Sequence, residues 1–115
     1  MYVLGDTGPN GRIVYFVEGS GEHGLEARAA DEPHGLNWFE VKTAASAYGP
    51  GWHLPTKTEL ELLYEQRNIV GMGTDGYWSS TIASNNNAWA QNFFTGTQVI
   101  SSKLFTWSAR AVRAF

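Results

Sequence analysis

A chain of 115 residues, 43% hydrophobic and 14% aromatic but only 17% charged, suffices for one domain around one core and is too apolar to be disordered. It has no cysteine, which excludes disulfides, thiolate metal sites and thiol catalysis. The net charge of −3 is uneven: residues 1–65 hold ten acids and four bases (−6), residues 66–115 one acid and four bases (+3). That balance lacks the basic excess of a dedicated nucleic-acid binder.

The chain opens on "GDTGPNG", with Gly5, Gly8 and Gly11 three apart. Two triplets fit the collagen period, but a glycine-rich turn is the better reading. "RIVYFVE" (12–18) is β-branched and aromatic on both faces, as in a buried strand. After the turn cluster "GSGEHG", "LEARAA" alternates like a short strand. Asn37 can cap a helix over "WFEVKTAASAYG", with Trp38, Val41, Ala45 and Tyr48 on one stripe and Gly49-Pro50-Gly51 as its stop. In "HLPTKTELELLYEQRN", Thr56 and Glu59 form the T-x-x-E capping box. Leu60, Leu63 and Tyr64 are its buried face; Glu61, Glu65 and Arg67 face water.

From Gly71 onward the pattern is β. "GMGTDG" is a loop and "YWSST" is short and extended. "NAWAQNFFTGTQVISSK" reads as a hairpin turning at Thr95-Gly96, and "FTWSARAVRAF" as a closing strand. Strand, two helices, then antiparallel strands predict an α+β class, with the first and last strands paired and the termini close. No run approaches the ~20 apolar residues of a membrane span. Met1-Tyr2-Val3-Leu4 is followed at once by Gly5, which is no signal peptide; the expectation is a domain of a longer exported chain.

Catalytic chemistry finds little footing. Ser79 and Ser80 have no G-x-S-x-G context, and no Ser-x-x-Lys motif is present. His23, His34 and His53 include no i,i+4 pair, and no Asp or Glu lies within the aromatic stretch. "DEPH" (Asp31, Glu32, His34) is the only cluster of metal-ligand character, and such a loop is more often simply solvated. Neither an EF-hand nor a P-loop occurs. A binding reading starts instead from rings set among amides and hydroxyls, the mix that holds sugars. On one strand Trp89, Gln91 and Phe93 share a face, and Ala88, Ala90, Asn92 and Phe94 the other. Aromatics on both faces mean that at least one is core, so Trp78 and Trp89 read as structural before they read as ligand platforms. Asn85-Asn86-Asn87 is too polar to bury without partners and predicts an exposed loop. Of Arg110 and Arg113, on opposite strand faces, Arg110 is expected inward, its donors tying down loop carbonyls.

"GDTGPNGRIVYFVEGSGEHGLEA", "GWHLPTKTELELLY", "GYWSST", "AWAQNFFTGTQ" and "RAVRAF" resemble, in this order, the C-terminal domain family of the Legionella collagen-like adhesin. That family is a branch of the wider C-type-lectin-like and sulfatase-modifying-factor fold. The resemblance covers Gly5 to Phe115 and implies two helices packed on a twisted antiparallel sheet with paired termini. It implies that Trp52, Leu54, Pro55, Trp78, Ser79, Ser80, Trp89 and Arg110 are mostly frame. It also implies a homotrimer behind a collagen-like stalk that binds sulfated glycosaminoglycans at the cell surface. The chain departs from the wider fold in two ways. Formylglycine-generating relatives use cysteines, which are missing here. The Glu-Pro-Asn or Gln-Pro-Asp loop and Trp-Asn-Asp strand of calcium-dependent lectins are missing too.

The reading is thus one α+β, C-type-lectin-like domain over residues 1–115, with 1–11 a glycine-rich lead-in. Its expected function is non-catalytic glycan recognition, of sulfated or otherwise anionic glycans, at the cell surface or outside the cell. Candidate ligand residues are Asn85, Asn86, Asn87, Thr95, Gln98, Lys103 and Arg113. No cofactor, metal, nucleic-acid partner or membrane insertion is expected. The alternative is a structural or protein-binding cap without a sugar ligand.

Overall fold

The computed structural model describes residues 1–115. Its elements are β1 (Ile13–Val17), β2 (Gly24–Ala27), α1 (Trp38–Ser46), α2 (Lys57–Glu65), α3 (Arg67–Val70), β3 (Gly76–Ser84), β4 (Asn87–Asn92), β5 (Gln98–Ser102) and β6 (Val112–Ala114). The strands form two antiparallel three-stranded sheets, ordered β1-β2-β6 and β3-β4-β5, so the class is α+β. No helix is long and apolar enough to cross a membrane.

The first and last strands do not pair with each other. β2 lies between them, with Leu25 opposite Ala114 and Ala27 opposite Val112. All four β2 residues are buried, which suits a central position. Glu26 explains how so short a strand holds its place. Its buried carboxylate accepts from the Asn10 amide (3.0 Å), the Asn10 side chain (2.6 Å) and the Arg12 amide (3.3 Å). The glycine-rich lead-in is therefore docked on β2. The termini still meet: the Tyr2 and Phe115 rings lie 5.2 Å apart, edge to face.

Both helices start where their caps dictate. Asn37 Oδ1 accepts from the Glu40 amide (3.1 Å) and Glu40 Oε1 from the Asn37 amide (2.9 Å). Thr56 and Glu59 make the same reciprocal pair. Trp38, Val41 and Ala45 are buried, as their spacing requires. Tyr48 is not: α1 stops at Ser46, so Tyr48 lies outside, under the Arg28 guanidinium (3.6 Å) and donating to Glu32 (2.8 Å). On α2, Leu60 and Leu63 are buried, and Tyr64 packs edge-on against Phe93. Glu61 does not simply face water; it accepts from the buried Gln91 amide at 2.8 Å. The short α3 adds Val70 to the core.

Adjacent residues of β3 serve two cores. Trp78, 0% exposed, joins Trp38, Val41, Leu54, Ala88 and Ala90 beneath α1. Tyr77 joins Tyr15, Leu60, Leu63 and Phe93 beneath α2. This is the two-residue period of a strand with both faces covered. β3 is longer than "YWSST" suggests, nine residues with irregular pairing near its end. Gly76 is required there, because a Cβ would fall 1.8 Å from the Trp107 ring. The closing strand is shorter than expected. Ser108 first bridges to β3, exchanging bonds with Trp78 (2.8 Å) and Gly76 (2.9 Å), and only Val112–Ala114 joins β2. Segment 108–114 thereby stitches the sheets together.

Arg110 locks that segment. It is 3% exposed, donates from Nε to Asp31 Oδ1 (2.8 Å) and from Nη1 to the carbonyls of Arg28 (2.9 Å) and Val70 (3.4 Å). Asp31 Oδ2 accepts from the Tyr77 hydroxyl at 2.8 Å. Burial, reinforced by that bond, pushes the Tyr77 hydroxyl pKa far up. The inward, structural role expected of Arg110 is what the structure shows.

Candidate functional site

The site is built from the start of α1, the β3–β4 turn and the residues after β5. The Asn37 cap fixes the helix phase. With Trp38 turned inward, the next residue, Phe39, is turned about 100° around the axis to the helix flank, and it is 52% exposed. Lys103 joins the three parts through its backbone. Its N–H donates to Asn86 O (2.9 Å), and its carbonyl accepts the first orphan amide of α1, Trp38 N–H (3.0 Å).

The Lys103 side chain was expected at the surface, and it is buried, 6% exposed. Nζ donates to Asn85 O at 2.9 Å and lies 4.6 Å from the Trp38 ring centroid and 5.7 Å from that of Phe39. The stem is covered because α1 and the β3–β4 turn close over it. A groove of about 330 Å³ remains, lined by Phe39, Asn85, Asn86, Ser102, Lys103 and Leu104. A shallower hollow shares Phe39 and continues along α1 over Leu36, Glu40, Thr43 and Ala44. Another shares Leu104 and continues over Phe105 to Trp107. Exposed Phe39, Leu104 and Phe105 thus flank a cleft that four polar residues also line.

Three of the expected ligand residues, Asn85, Asn86 and Lys103, come together in this groove. Asn87 is the first residue of β4, not a loop residue; it pairs with Ser102 and donates to Ser84 Oγ at 3.0 Å. Thr95 sits in the β4–β5 turn, at the other end of β4, bonded to the Thr97 hydroxyl at 3.1 Å. Gln98 Nε2 donates to Lys57 O at 2.9 Å. Arg113 is half-buried on the other sheet; it donates to Pro50 O and packs against Gly51. The seven residues are therefore no single surface, and neither Lys103 nor Arg113 is a freely exposed cation. The +3 of the second half is spread over engaged groups: Arg67 donates to Tyr64 O at 2.8 Å and lies over that ring, and Arg110 is ion-paired.

Sequence reasoning missed Phe39, Ser102 and Leu104. Phe39 had a signal: an aromatic one position after the inward Trp38 falls on the flank of the helix, off its buried stripe. The mid-chain tryptophans offer no open platform. Trp78 is fully buried, and Lys57 Nζ caps the half-buried Trp89 at 3.5 Å.

Outside the groove, the ionisable groups do not gather into a second site. Asp31 serves Arg110, Glu32 serves Tyr48, and His34 is exposed, so "DEPH" points in separate directions. No three His, Asp or Glu side chains converge on one point. His53 lies between two acceptors, Gly51 O (2.9 Å) and Glu59 Oε1 (2.8 Å). The bond to Glu59 raises the His53 pKa against the opposing effect of burial. Burial alone would raise the Glu59 pKa, but the bonds from His53 and Thr56 bring it below the usual value. The sequence shows no significant similarity to a protein-family model or to a curated protein.

Proposed function

We propose that the chain is a non-catalytic recognition module that binds glycan in the groove between α1 and the β3–β4 turn. One observation carries this reading: an exposed ring, Phe39, stands beside Asn85, Asn86, Ser102 and Lys103 around a single cleft. A sugar needs an apolar surface for its C–H face and convergent amides and hydroxyls for its OH groups. The rigid core under the cleft supports it, since a binding geometry is only as firm as the shell behind it. Within this proposal Asn85, Asn86 and Lys103 are the primary contacts, while Asn87, Thr95, Gln98 and Arg113 are peripheral.

The C-type-lectin-like fold, in the branch of the collagen-like adhesin domains, belongs to the same proposal. Two capped helices, antiparallel sheets and neighbouring termini support it. Placement at the cell surface and assembly as a homotrimer, which would multiply a weak single-site affinity, are part of the same proposal. A polysulfated ligand draws little support, because most bases are engaged internally and polyanions need clustered free cations. The second reading, a protein-binding cap, is favoured by the contiguous exposed Phe39, Leu104 and Phe105. A glycan array read at low and high salt distinguishes them. Glycan binding with shallow salt dependence is expected; silence across neutral and anionic glycans overturns the reading.

A further inference from the structure

Resting on that glycan reading, we infer that the groove selects a sugar carrying one carboxylate, with Lys103 as its counter-ion. Lys103 is as buried as a core residue, yet no acid meets it. The chain has two ion pairs, His53–Glu59 and Arg110–Asp31, and neither includes Lys103. The nearest acid on α1, Glu40, is occupied by the capping box with Asn37. An ammonium has three donors, and the protein uses one, toward Asn85 O. Ring faces of Trp38 and Phe39 supply the rest of its surroundings. Buried charge is costly unless paired, so a lysine that lines a groove and whose ammonium has donors to spare is complementary to an anion.

The number of charges sets the class. One fixed cation matches one anionic group, not a chain of sulfates. The chemistry around it sets the rest. The exposed Phe39 ring, the two asparagines and Ser102 fit a pyranose whose apolar face stacks while its hydroxyls bond. A carboxylate on such a ring reaches the ammonium by a charge-assisted hydrogen bond, the stronger kind of contact. An acidic peptide would supply the charge and backbone hydrogen bonds but no pyranose face to stack on the Phe39 ring.

The test uses three probes on the whole chain: methyl β-glucuronide, its methyl ester and methyl β-glucoside, with N-acetyl-aspartyl-glycine as a peptide arm. Binding is followed through the backbone NMR shifts of Asn86, Lys103 and Leu104. The acid is expected to bind at least about tenfold more tightly than the ester or the glucoside. In Lys103→Met, which keeps the stem, acid and ester should bind alike. Phe39→Ala and Asn85→Ala, both at exposed positions, should weaken all three sugars while the chain keeps the dispersed NMR spectrum of its fold. Equal binding of acid, ester and glucoside overturns the charge selection while the glycan reading stands. A peptide that binds tighter than the glucuronide, or no shift with any sugar probe, overturns the acidic-sugar assignment, and the array then decides the glycan reading separately.

Discussion

Arg110 and Lys103 are buried to nearly the same degree, but their surroundings differ. Arg110 meets a carboxylate and two carbonyls; Lys103 meets one carbonyl and two rings, and it lines a groove. The first belongs to a closed network whose members satisfy one another. The second belongs to a region where a polar group is held ready without a full set of partners. Burial alone therefore does not separate frame from site; the completeness of the hydrogen bonding does.

The largest effect should come from breaking the closed region. Arg110→Met strands Asp31 and frees two carbonyls, and it should cost about 3–5 kcal/mol in denaturant unfolding. Lys103→Met removes one hydrogen bond and two cation–ring contacts, and it should cost about 1–2 kcal/mol. Equal losses in the two variants would erase the contrast between the regions.

The His53–Glu59 pair should make a smaller, pH-dependent contribution. The His53 pKa is raised on folding, so its stabilisation is full below the ordinary value of 6.5 and is lost as pH rises through the folded value. The Glu59 pKa is lowered, so its stabilisation is full above 4.5 and is lost as pH falls through the folded value. The stability lost on His53→Asn should thus peak between pH 4.5 and 6.5. With the His53 side chain 38% exposed, the peak should stay under about 1 kcal/mol. A flat difference from pH 4 to 8 would contradict the pairing.

The smallest change tests an incomplete spot within the frame itself. The Tyr15 hydroxyl is buried without a hydrogen-bond partner. Tyr15→Phe should be neutral or stabilising by up to about 1 kcal/mol, because it removes a desolvated group that gains nothing on folding. A clear loss of stability would mean that the hydroxyl is satisfied after all.

What could be read from the sequence was local. Thr56 with Glu59, Asn37 before Trp38, and the Thr95-Gly96 turn each announce an element within a few residues, and the structure has those elements. Strand order was not legible, because no local pattern tells Leu25–Ala27 to lie between the first and last strands; the carboxylate of Glu26 and the lead-in decide that at a distance. Half of the groove was legible too. The asparagines were visible as a segment too polar to bury, but the burial of Lys103 depends on a helix start 65 positions earlier in the chain, at Trp38. A lysine beside polar residues reads as a surface cation until that helix is in place.

In the proposed reading, recognition occurs in the cleft beside Lys103 while the buried rings only support it. Amide shift mapping during titration with the strongest glycan from the array tests this most directly. Shifts are expected at Phe39, Asn85, Asn86, Ser102 and Leu104, with those of Tyr77, Trp78 and Gln91 unmoved. Shifts centred on the β4–β5 turn or on Arg113, with the cleft silent, would contradict it.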